Sequence, residues 1–121
     1  MEFKEGIEMK KEGTYLPTTM YAVTTLGTQI AIARKDLGWT VGELAERLGV
    51  SPQLVSRIEK GSPKASIGTV LEAAVLVGIP LFEVESNDVR GMHRVAQHEQ
   101  LRLQLLPKRI RRRTLTVDNN F

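Results

Sequence analysis

The sequence has no cysteine. Disulfides and thiolate metal sites are therefore excluded, and a reducing compartment suits the chain. Aromatic residues make up only 5%, with a single tryptophan. A core must then come from Leu, Val, Ile and Ala, which favours packed helices. There is no secretory leader pattern and no apolar run long enough to span a bilayer, so a soluble, cytoplasmic protein with no membrane partner is expected. No G-x-S-x-G elbow, Walker loop or dinucleotide fingerprint appears. His93 and His98 stand five positions apart, whereas a helical metal pair needs a spacing of four. Carboxylates are scattered. These absences argue against an enzyme, a metal site and any cofactor.

What is present suits a small helical domain with appendages. The chain has 121 residues, 41% of them apolar, and a net charge of +3. That charge is unevenly placed. Residues 26–84 balance at six basic and six acidic groups, while residues 85–121 hold eight basic against four acidic. Lys108, Arg109 and Arg111 to Arg113 form the densest run. Such a run can add sequence-independent affinity for phosphates, or serve only as a solvated tail.

The most informative stretch is Gly38 to Gly61, which predicts two short helices joined by a tight turn. Thr40 can cap the first, and Glu43 three residues on completes a capping box. Leu44, Ala45 and Leu48 share one face. Gly49 can adopt the left-handed conformation that stops the helix. Ser51 is the next N-cap, with Pro52 in the first helical position. Val55 and Ile58 then point inward. Gln53, Ser56, Arg57 and Lys60 recur on the opposite face, which carries no acid. An amide, a hydroxyl, a guanidinium and an ammonium together suit base edges and phosphates of duplex DNA.

Around this pair the pattern predicts further elements. Residues 1–13 are Glu/Lys-rich and read as disordered. Residues 14–25 are rich in Thr, Tyr and Val and read as an extended arm, with Pro17 at its edge. A first helix is expected from Thr25 to Leu37, with Leu26, Ile30, Ala33 and Leu37 inward and Trp39 packed over its junction. Ser66 should cap a helix whose inner stripe is Ile67, Val70, Leu71, Ala74 and Val77. Pro80 should open a short fifth helix, through Val84, in which Leu81, Phe82 and Val84 close the core. A helix is favoured again from Asn87 to Leu106, with Val89, Met92, Ala96, Leu103 and Leu106 along a seam interrupted by Glu99. That seam needs cover, from a second copy or from the chain's own domain. Thr114 to Val117 reads as a short strand. The expected organisation is an arm at 1–25, a domain at 26–84 and a C-terminal helix with a basic tail at 85–121.

The run from Leu26 to Val84 resembles the lambda-repressor/Cro-type (XRE) helix-turn-helix family. The matching positions are Ile30, Ala33, Arg34, Leu37, Thr40, Glu43, Leu44, Ala45, Leu48 to Ser51, Val55, Ser56, Ile58, Glu59 and Gly61. The resemblance implies an all-α, five-helix DNA-binding domain. It implies base contacts from Ser51, Gln53 and Arg57, and phosphate contacts from Thr40, Ser56, Lys60 and Lys64. It also implies a structural ion pair between Arg34 and Glu59. Two positions depart from the family pattern. Val41 replaces a phosphate-holding Gln, and Pro52 replaces a polar base-reader. Proteins of this kind bind a near-palindromic double-stranded DNA operator as homodimers, so a dimeric transcriptional repressor is the implied function. The tail LPKRIRRRTLTVDNNF is similar to those of HipB-type antitoxins, which implies a HipA-type Ser/Thr kinase toxin as an alternative partner. A helical interaction module that does not bind DNA is the third reading.

Overall fold

The computed structural model describes residues 14–110. Five helices occur among the described residues. They are α1 (Pro17–Asp36), α2 (Val41–Leu48), α3 (Pro52–Glu59), α4 (Ile67–Leu76) and α5 (Val89–Gln104). No sheet forms among them, so the fold is all-α as expected. The chain divides after Asn87 into two compact units. The first holds α1 to α4, and the second holds α5.

The first unit is built on a small aliphatic core. Ile30 from α1, Leu44 and Ala45 from α2, Val55 and Ile58 from α3, and Ala73, Ala74 and Val77 around α4 are all buried. Leu26, Leu48, Leu54 and Val70 pack against them, half-buried. The local signals in the turn region act as the sequence predicts. The Thr40 side chain accepts from the Glu43 amide at 3.0 Å, and the Glu43 carboxylate accepts from the Thr40 amide at 2.8 Å. Gly49 takes φ +75 and closes α2, its amide donating to the Ala45 carbonyl at 2.8 Å. A side chain there would be strained in the left-handed region. The Ser51 hydroxyl then accepts from the Leu54 amide at 3.1 Å and starts α3, with Pro52 in the first turn.

The structure corrects three expectations. First, residues 17–25 are helical, not extended, so α1 starts eight residues before Thr25. Pro17 fits the first turn of a helix, where its missing N–H costs nothing. Packing then overrides the preference of Thr, Val and Tyr for strands. Buried Gly27 lets α1 lie directly on the end of α3, since a Cβ there would run into the Ile58 carbonyl oxygen. Thr24 is likewise close against Gly61. These approaches favour a straight continuation of α1 back through Val23.

Second, Pro80 does not open a helix. Leu81 and Val84 form an isolated antiparallel bridge, exchanging hydrogen bonds of 3.1 and 2.9 Å. Phe82 and Glu83 between them have φ +53 and +63, the two left-handed residues of a tight I′-like turn. Ile79 and Leu81 both pack against the core. That alternation about Pro80 belongs to extended backbone, and the left-handed turn that follows carries Phe82 outward to 74% exposure. Third, Leu37 and Ile67 lie outside the inner stripes, at 48% and 77% exposure. Leu37 keeps the spacing of the buried Gly27, Ile30 and Arg34 but is the C-cap, one residue past the end of α1, and Ile67 is the first residue of α4. Both stand at helix ends rather than over the core.

In the second unit Asp88 caps α5, its carboxylate accepting from the Gly91 amide at 2.8 Å. The helix ends at Gln104, shortly before Pro107. Val89, Ala96 and Leu103 are exposed along it and Leu106 just past its end, while Met92 and Val95 are half-buried. The expected disorder of residues 1–13, the strand at Thr114 to Val117 and the run Arg111 to Arg113 lie outside the described residues.

Candidate nucleic-acid interface

The two faces of α3 are chemically opposite. Val55 and Ile58 are 1% and 3% exposed and anchor the helix in the core. Gln53, Arg57 and Lys60 are exposed on the other side, with Ser56 half-buried beside them. Among the described residues no hydrogen bond or ion pair engages the Gln53, Arg57 or Lys60 side chains. The only acid of α3 is Glu59, and it belongs to the inner side. The outward face therefore offers donors in excess and presents no carboxylate to repel a phosphate.

Glu59 is held by Arg34. The guanidinium donates to both carboxylate oxygens, Nε to Oε2 at 2.7 Å and Nη2 to Oε1 at 2.9 Å. Its remaining nitrogen Nη1 donates to the Trp39 carbonyl at 2.8 Å. The two side chains are 8% and 10% exposed. The hydrogen bond to Glu59 raises the Arg34 pKa, against the lowering effect of burial and with the help of the carboxylate charge. One arginine thus ties α1, the connection to α2 and the end of α3 together, and it neutralises the acid nearest the outward face.

Beside α3, the N-terminus of α2 is exposed. Thr40 uses an oxygen lone pair for its cap, which leaves its hydroxyl proton available to an acceptor such as a phosphate. The first-turn amides of Val41 and Gly42 have no partner within the helix. Ser51 is in the same state as Thr40: its oxygen caps α3 and its O–H can still donate. Lys64 is exposed in the loop after α3, where its amide donates to the Ser62 hydroxyl at 3.3 Å. Ser51, Gln53, Ser56, Arg57 and Lys60 therefore share one short segment, while Thr40 and Lys64 come from loops at its flanks.

The helix-turn-helix family model matches residues 30–84. Residues 30–84 form a helix-turn-helix domain of the lambda-repressor/Cro type. This domain is a DNA-binding module of the transcription-regulator kind. Among curated proteins, none matches the chain. The family match starts at Ile30, whereas α1 starts at Pro17. Residues 17–29 of α1 therefore precede the shared part of the helix-turn-helix domain, between three and four turns at roughly 3.6 residues to the turn.

The helix-turn-helix domain also contains a contact that the sequence did not signal. The Arg47 guanidinium lies over the Trp39 ring, 4.0 Å from its centre. An arginine stacked in this way covers the indole at the junction of α1 and α2. Trp39 and Arg47 are eight positions apart across a helix start, and no local pattern links them. No helix among the described residues is long and apolar enough to cross a membrane.

Proposed function

We propose that the protein is a dimeric transcriptional repressor that reads a near-palindromic operator with α3. The observation that carries this reading is the outward face of that helix, on which Gln53 and Arg57 stand exposed and unengaged with no acid beside them. In a major groove, Gln53 can pair with adenine and Arg57 with guanine, each through two hydrogen bonds. Ser51 adds a single donor at the helix start. Thr40, Ser56, Lys60 and Lys64 hold phosphates on either side and set the register of the helix in the groove. Pro52 has no donor to offer, so one base contact is absent from the set. Val41 likewise leaves phosphate binding there to Thr40 and to the neighbouring amides.

One such helix spans only a few base pairs. A homodimer would place two of them in successive major grooves about 34 Å apart and double the contact. Gel-shift titrations on operators carrying one or two half-sites test this directly. Equal affinity for both would sink the dimeric reading. A repressor of this kind would act in the cytoplasm on its own or a neighbouring promoter.

A second reading rests on the C-terminal sequence LPKRIRRRTLTVDNNF, which is similar to tails of HipB-type antitoxins. In that case the same DNA-binding domain autoregulates an operon and the chain also neutralises a HipA-type Ser/Thr kinase. Co-purification with a kinase encoded next to this gene supports it, and a kinase unaffected by the protein argues against it.

A further inference from the structure

We propose that α5 from Val95 onward, with the turn that follows it, is a pairing surface for a second copy of this chain, running antiparallel to it. This deepens the dimeric reading above and rests on it. The key residues are Val95, Glu99 and Arg102 on one face of α5 and Leu106 in the turn just past its end, at spacings of four, three and four. Leu105 keeps helical backbone angles and the Leu106 amide donates to the Leu103 carbonyl at 3.1 Å, so Leu106 continues that face. Arg102 donates to both oxygens of Glu99, at 3.0 and 3.2 Å. The two side chains are nonetheless 66% and 60% exposed. Leu106 and the adjoining Leu103 are 61% and 70% exposed. Glu99, Arg102, Leu103 and Leu106 line a shallow hollow of about 220 Å³.

The spacing of these residues decides both the partner and its direction. The order apolar, acid, base, apolar has the same spacing read from either end. Turn a second α5 through a two-fold axis between positions 100 and 101, and Glu99 falls opposite Arg102 of the second copy. The converse pair forms by symmetry. Leu106 then falls opposite Val95, also twice, and Leu103 packs on the stem of Glu99. This is the self-complementary pattern that a two-fold interface requires. In a parallel pair, Glu99 would face Glu99 and Arg102 would face Arg102, which repel. The acid that interrupts the seam is therefore the feature that chooses one orientation over the other.

Charge reversal in the full chain tests the proposal, read by sedimentation equilibrium. Glu99→Arg and Arg102→Glu should each weaken self-association roughly tenfold, because both symmetric contacts turn repulsive. The double reversal should restore it, and so should mixing the two single variants, which an ion pair within one chain cannot explain. Because the chain lacks cysteine, orientation can be read by cross-linking. Oxidising a mixture of Val95→Cys and Leu106→Cys should join 95 to 106. Neither variant alone should cross-link, since in the antiparallel pair the two copies of position 95 lie roughly 16 Å apart at 1.5 Å per residue. Cross-linking of Val95→Cys to itself would overturn the antiparallel arrangement. A dimer unmoved by either reversal would overturn this surface and leave the dimeric repressor standing. A chain that stays monomeric at every concentration would overturn both.

Discussion

Arg34 and Glu59, twenty-five positions apart, meet in a two-pronged ion pair that closes α1 onto the end of α3. The third hydrogen bond, to the Trp39 carbonyl, adds the α1–α2 connection to the same clamp. Because the pair is nearly buried, losing one partner strands a charge. Arg34→Ala or Glu59→Ala should destabilise the domain by about 3–5 kcal/mol. The double variant should cost less than the sum of the two, which urea denaturation can measure. Arg34→Lys should not rescue, since an ammonium cannot make both bonds in one plane. The sign of the pH dependence follows from the raised Arg34 pKa. A cation whose folded pKa is held above its unfolded one contributes fully below the unfolded value and loses its contribution only as pH rises through the folded value. Its contribution to stability should therefore be flat across neutral and mildly alkaline pH.

Two glycines in helices should respond oppositely to alanine. Gly27→Ala forces a methyl group into the Ile58 carbonyl and must push α1 away from α3. It should destabilise by about 1–3 kcal/mol, the cost of overpacking. Gly68, near the start of α4, has open space where a Cβ would be. Gly68→Ala should stabilise by about 0.4–1 kcal/mol through a less flexible unfolded chain. Thermal unfolding of the two variants side by side checks both signs.

The turn at Phe82 and Glu83 stores removable strain. Both residues occupy the left-handed region at roughly 1–2 kcal/mol each. Phe82 is largely exposed, so replacing it removes little packing. The double variant Phe82→Asn, Glu83→Gly should raise the melting temperature, because Asn-Gly is the pair that this turn prefers. An unchanged or lower melting temperature would count against the strain argument.

Base-reading and phosphate-holding residues should separate in binding experiments. Arg57→Ala and Gln53→Ala should each cost about 1–3 kcal/mol on the operator and relax preference at one base pair. Lys60→Ala should weaken binding to all sequences alike and lower the salt slope by about one. All three side chains are exposed, so the melting temperature should not move. Competition titrations at two salt concentrations distinguish the two classes.

Much of the domain was legible from short-range chemistry. Thr40 with Glu43, Gly49, and Ser51 with Pro52 set helix ends through bonds spanning three or four residues, and those bonds form as the sequence predicts. The alternation of Val55 and Ile58 with Gln53, Ser56 and Arg57 divided α3 into an inner and an outer face for the same reason. Two elements misled. Residues 17–25 carry strand-favouring side chains but follow α1, because Gly27 and Thr24 meet α3 and its following loop at close range. Residues 80–84 carry a helix-starting proline but turn sharply, because Ile79 and Leu81 both reach the core.

The sequence by itself determined the caps, the corner between α2 and α3, and which side chains α3 turns outward. Each of these depends on neighbours within a turn or two of the same helix. Only the tertiary structure decided how far α1 extends, where Arg47 rests, and that Phe82 leaves the core. Those outcomes depend on how closely one backbone approaches another, a distance set by small residues and carbonyls far apart in the chain.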